Sequence, residues 1–186
     1  MLIALKDEGK VYLAYNLRGL PLEDFDGEDY ILEDNVPIWK VKNGCIMGFA
    51  DDPDEADFIR YDKGLFRGEI NIYNLLENIL PAMLEKLDYY HKLDKERNLA
   101  NDYIIAQGGS AYYIYGAGEI EELEDYFCIG KGSNAAKSSL DLTSGQSAAE
   151  RIKRAYETVE ASQNIPAYPI ALMDTKNQKL EIIRKE

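Results

Sequence analysis

A chain of 186 residues with 46% hydrophobic and 30% charged residues has room for one sizeable core and the balance of a folded domain, which excludes a disordered or fibrous protein. Its formal net charge of -13 is broken only by the small Arg151, Lys153, Arg154 group on a predicted helix. That excludes the basic face nucleic acid requires, and no nucleic-acid partner is expected.

Residues 2–6 and 11–15 are apolar and β-prone around Asp7, Glu8 and Gly9, which predicts a hairpin. No basic leader or signal core precedes it and no apolar run is long enough to cross a bilayer, so no membrane association and a cytoplasmic location are expected. Residues 17–34 are acidic, contain Gly19, Pro21 and Gly27, and are expected to form an ordered loop, an excursion from the fold. A second hairpin is predicted over residues 37–42 and 45–50, because Asn43-Gly44 between apolar runs favours a tight turn. Asp51-Asp52-Pro53 caps a short helix that carries Ala56 and Ile59 inward and ends by Gly64. Ile72, Leu75, Leu76, Ile79, Met83, Leu87 and Tyr90 recur at helical spacing, so residues 71–92 are expected as one amphipathic helix with a kink at Pro81. His91, near its end, is expected to face the last carbonyls rather than act as a base.

Residues 103–107 and 111–115 predict a third hairpin around Gly108-Gly109-Ser110. The run Glu121, Glu122, Glu124, Asp125 reads as a solvated turn, because a hard cation needs converging oxygens that a charge run does not supply. Residues 126–129 start a further strand that ends in Gly130-Lys131-Gly132-Ser133. Helices are predicted over residues 134–142 and 147–162, the second with Ala148, Ile152, Ala155 and Val159 on one face. Pro166 and Pro169 close that region, and residues 168–173 and 179–183 make a last hairpin. Cys45 and Cys128 sit in apolar strands with no second Cys or His at ligand spacing, so buried thiols, no metal and no other cofactor are expected. Tyr103, Tyr112, Tyr113, Tyr115, Tyr126 and Tyr168 cluster in the second half of the sheets, where they suit cross-strand packing and also subunit contacts.

Strand groups and helix pairs thus alternate along the chain. Two antiparallel sheets packed together, each with a helix pair on its outer face, bury every apolar surface named above. The expected class is α+β, a four-layer αββα sandwich formed by residues 1–186 as one domain.

Three collinear segments resemble the proteasome β-subunit and HslV-like family of N-terminal nucleophile hydrolases. Residues 2–16 resemble the family's first hairpin. Residues 37–52, PIWKVKNGCIMGFADD, look like its third and fourth strands, which end in an apolar-Gly-x-Ala-Gly-Gly motif. Residues 127–141, FCIGKGSNAAKSSLD, resemble the Gly-x-Gly-Ser corner that leads from a strand into a helix. The resemblance spans nearly the whole chain apart from the excursion, and it implies the same sandwich.

The resemblance also implies a mechanism, in which the hydroxyl of an N-terminal threonine attacks while its own amine acts as base. Aligning the first hairpin puts Met1 at the family's second residue, so the chain is expected to lack that threonine. Asn16 stands where an aspartate belongs, and Pro37, or Ile38 in the adjoining register, where a lysine belongs. Asp51 and Asp52 replace the paired glycines whose amide stabilises the oxyanion, and carboxylates there repel the developing charge. Lys131 occupies a corner position often held by serine.

A catalytically inactive member of this fold is therefore expected, an oligomeric scaffold, binding or regulatory subunit built from copies of itself or related subunits. One alternative is an active peptidase or amide hydrolase with a displaced nucleophile, Ser133 or Ser110 with Lys131 or His91 as base. Serine in such turns ordinarily bonds its own backbone. A further alternative is a small ligand held in the vacant cleft between the sheets.

Overall fold

A computed structural model describes residues 1–17, 23–25, 28–30, 36–41, 44–50, 53–62 and 64–185, with backbone alone for 23–25 and 28–30. Asn43 of the second predicted turn and the Asp51-Asp52 cap lie outside the described residues.

The first strands, β1 (Leu2–Asp7) and β2 (Lys10–Asn16), form the predicted hairpin around Glu8 and Gly9. They are joined by β10 (Tyr126–Ile129), β11 (Ile170–Asp174) and β12 (Glu181–Ile183) in one antiparallel sheet of order β10-β1-β2-β11-β12. A second antiparallel sheet runs β5 (Ile38–Lys40), β6 (Cys45–Ala50), β7 (Asp102–Gln107), β8 (Ser110–Ile114) and β9 (Ile120–Glu122), in that order.

The strands read as continuous apolar runs because they are covered on both faces. On β1, Leu2 and Ala4 enter the core between the sheets, whereas Ile3 and Leu5 pack outward under α4 (Ser133–Leu142) and α5 (Ala148–Gln163). On β6 and β7, Ile46 and Ile104 face the same inter-sheet core, while Met47, Phe49 and Ile105 pack under α1 (Pro53–Arg60) and the long helix that follows. Alternation by two along each strand thus feeds two apolar layers at once. Each fully buried Leu or Ile contributes about 1.5–3 kcal/mol relative to exposure. This is the expected four-layer αββα sandwich.

The long helix departs from expectation in an instructive way. Asn71 caps α2 (Ile72–Asn74), its side chain accepting from the Asn74 amide at 2.9 Å. A π turn (Leu75–Ile79) then leads into α3 (Leu80–Tyr89), and the Leu80 amide donates to Leu75 O. Pro81 has no N–H and its ring crowds the carbonyl four residues back. The wider turn ahead of it absorbs that conflict where a kink was expected. At the far end His91 adopts φ 56, and its backbone amide donates to Asp88 O at 3.0 Å. The helix is thus terminated by a left-handed residue and not by an imidazole meeting the carbonyls.

Two stretches expected as loops contain strands. The acidic excursion holds a two-stranded ribbon, β3 (Glu23–Phe25) and β4 (Glu28–Tyr30). The acidic run expected as a turn contributes Glu121 and Glu122 to β9, an edge strand whose outward side chains can stay charged because water solvates them.

Candidate functional site

The end of the first hairpin, the glycine corner after β10 and helix α5 meet around Met1. Met1 O accepts from the Asn16 amide at 3.4 Å and from the Tyr156 hydroxyl at 3.0 Å. That hydroxyl also donates toward Ala14 O at 2.8 Å. Burial pushes the Tyr156 phenol well above its ordinary value, so it stays a neutral donor. Asn16, at the end of β2, is buried, and its side-chain amide donates to Pro166 O and Ala167 O.

The corner is positioned by Gly132, which sits at φ 94 immediately before α4. A Cβ there would lie 2.6 Å from Val159 Cγ1, so both the left-handed backbone and the close approach to α5 require glycine. Lys131 is exposed. With Met1, Tyr15, Asn16, Tyr156 and Pro166 it lines a cavity of about 320 Å³. The structure therefore gathers Met1, Asn16 and Lys131 in one place.

On the inter-sheet side, Ile38 pairs with Gly48, and the Phe49 amide donates to Pro37 O at 3.1 Å. A Cβ on Gly48 would stand 2.9 Å from Leu2 Cδ1 and 3.0 Å from Ile38 Cγ2, and Leu2 and Ile38 are fully buried. The space between the sheets at this point is filled by hydrocarbon. Asp51 and Asp52, expected where an oxyanion would be stabilised, lie outside the described residues.

Of the other expected nucleophiles, Ser133 follows Lys131 at this same glycine corner, whereas Ser110 lies far from it. Ser133 is the first residue of α4, its amide donating to Gly130 O at 3.2 Å. Ser110 opens β8 opposite Gln107. The neighbouring Gly109 packs on Gly9 O, at the turn end of the first hairpin, which β1 separates from Met1 by about 20 Å at strand rise. Ser110 and Lys131 are therefore at opposite ends of the sandwich, and His91 is exposed at the end of α3. Cys45 and Cys128 are buried, and desolvation pushes both thiols up to about 12, which keeps them protonated and inert at neutral pH.

Sequence reasoning passed over Glu55. It lies on the buried face of α1, 1% exposed. Its carboxylate accepts from the Ala100 amide at 2.6 Å, the Asn101 amide and side chain at 3.1 Å each, and the Tyr103 hydroxyl at 2.7 Å. Its spacing with Ala56 and Ile59 was the available signal. The cluster pins α1 to the start of β7 and presents no open coordination. Among the described residues no group of three or more His, Cys, Asp or Glu is placed to hold a metal, and no helix is long and apolar enough to cross a membrane.

No family model matches the chain, and no curated protein matches it in sequence. Solved structures do. BPH from Thiobacillus denitrificans in complex with epoxomicin superposes with a TM-score of 0.72 at 11% identity, over 93% of this chain and 96% of that one. HslV from Trypanosoma brucei gives 0.61 at 13% identity, over 93% and 97%. Anbu, described as an ancestral beta-subunit, from Yersinia bercovieri gives 0.64 at 13% identity, over 100% and 87%. These likenesses establish the HslV and proteasome-like fold that the three sequence segments led us to expect.

Proposed function

We propose that this chain, which has the HslV and proteasome-like fold, is a catalytically silent subunit that assembles with copies of itself or related subunits in the cytoplasm as a scaffold or regulator. The observation that carries this reading is the neutral, occupied character of the positions that the resemblance would charge. Asn16 spends its side-chain amide on Pro166 O and Ala167 O, and Leu2 and Ile38 close over Gly48. Proton transfer from a hydroxyl to an amine needs neighbouring charges that hold the amine neutral and oriented. Among the described residues, the hydrocarbon of Leu2 and Ile38 around Gly48 supplies no such charge. The described neighbour Anbu, a beta-subunit by its printed name, supports reading this chain as one component of an assembly.

The cavity beside Met1, Asn16 and Lys131 favours a second reading, small-ligand binding, because one lysine and two tyrosines, Tyr15 and Tyr156, line a recess at the low end of ligand-site volumes. The test of the first reading is the identity of the mature N-terminal residue by mass spectrometry, together with hydrolysis of a fluorogenic peptide panel. A terminus other than Thr, Ser or Cys and no turnover above the uncatalysed rate are expected. A processed hydroxyl- or thiol-bearing terminus with turnover would overturn it.

A further inference from the structure

We propose that copies of this chain associate head to tail through the two edge strands of the second sheet, β5 of one copy lying beside β9 of the next. The proposal rests on the self-assembling reading above and names its contact surface. Among the described residues β5 is hydrogen-bonded only to β6, and β9 only to β8. An edge strand offers a row of unpaired N–H and C=O groups and is a template for a further strand.

The two edges carry opposite charge. A groove of about 560 Å³ runs along β5, and among the described residues the charged side chains that line it are Lys40, Arg60 and Lys179. Lys40 and Lys179 are exposed. Arg60 is fixed in place, donating to Val36 O at 2.5 Å and lying 4.8 Å from the centre of the Trp39 ring. Across the sheet, β9 presents Glu121 and Glu122, both exposed, with Glu119 before it and Glu124 after it. The Tyr115 hydroxyl, donating to Glu121 Oε2 at 2.5 Å, holds that carboxylate at the edge.

Charge on an edge strand is also a device against unwanted pairing. The two edges bear opposite sign in a chain with 34 acidic and 21 basic residues, so they attract each other where like-charged edges would repel. Pairing β5 with β5 opposes lysines, and pairing β9 with β9 opposes glutamates. Only β5 against β9 sets opposite charges across the strand pair. Such a contact uses a different patch on each copy, and it closes into a ring when the rotation between copies permits.

Sedimentation velocity on the full chain and two charge-reversed variants, Lys40→Glu/Lys179→Glu and Glu121→Lys/Glu122→Lys, tests this. Wild type is expected to assemble and to dissociate as salt screens the exposed charges. Each variant alone is expected to be monomeric, its self-association weakened about 100-fold or more. Their equimolar mixture again presents opposite edges and is expected to reassemble. The neutral Lys40→Gln/Lys179→Gln chain is expected to fall between wild type and the reversed variant. Either reversed variant assembling like wild type, or a mixture of two folded variants remaining monomeric, overturns the edge pairing. A wild type monomeric at all concentrations overturns the assembly reading as well, so the two failures are distinguishable.

Discussion

Tyr156 on α5 and Met1 at the head of β1 are joined by a hydrogen bond of 3.0 Å from phenol to carbonyl. The same hydroxyl reaches Ala14 O at 2.8 Å, so one buried group ties the outer helix layer to the open end of the first hairpin. Tyr156→Phe leaves both carbonyls short of this donor and is expected to cost about 1–3 kcal/mol. Calorimetry should record a melting temperature lowered by several degrees with unchanged secondary structure. An unchanged Tm would mean that the bond contributes nothing net.

The Glu55 carboxylate holds three donating residues, Ala100, Asn101 and Tyr103. Glu55→Ala strands those donors in the interior and is expected to destabilise by about 3–5 kcal/mol. Glu55→Gln keeps one acceptor but turns an amide toward donors, so its loss should be smaller than that of alanine. Urea denaturation of both variants checks the order, and a near-neutral alanine variant would contradict the buried cluster.

Much of this fold was legible in the sequence for a physical reason. Strands covered on both faces, such as β1 with Leu2 and Ala4 on one side and Ile3 and Leu5 on the other, are long apolar runs between turn residues. What escaped notice was of two kinds. Ribbon and edge strands, β3–β4 and β9, lie in acidic stretches, where outward charge hides the strand signal. Long-range polar pins left no local trace: Glu55 and Tyr103 are 48 residues apart, and Tyr156 and Met1 are 155 apart. Near the candidate site, Asn16 was singled out from the resemblance, but its bonds to the Pro166 and Ala167 carbonyls depend on a segment that only folding brings near.

Gly132→Ala places a Cβ on a backbone at φ 94 and against Val159 Cγ1. The backbone strain costs about 1–3 kcal/mol, and the overlap a comparable amount. In a double-mutant cycle, Val159→Ala should relieve the overlap and leave the backbone strain. Strict additivity of the two changes would show that the corner does not close on α5 as described.

The buried thiols give a pH prediction with a definite sign. Cys45 and Cys128 are raised from 9.0 to about 12 in the folded chain. Their contribution is fully present below pH 9 and is lost as pH rises toward 12, because the unfolded thiols release protons that the folded ones retain. Each thiol should remove about 1.4 kcal/mol of stability per pH unit in that window. Both should resist a disulfide reagent in the native state and react at once in denaturant. Rapid native labelling near neutral pH would contradict their burial.

The central proposal is that catalysis is absent because Asn16 and Ile38 stand uncharged where the resemblance places a charged pair. It is tested most directly by incubating the native chain with a peptide epoxyketone and a peptide vinyl sulfone and measuring its intact mass. An unmodified mass after prolonged exposure, with Ser110, Ser133 and Cys45 all unlabelled, is the predicted result. A stoichiometric adduct mapped to a single residue of the chain would contradict it.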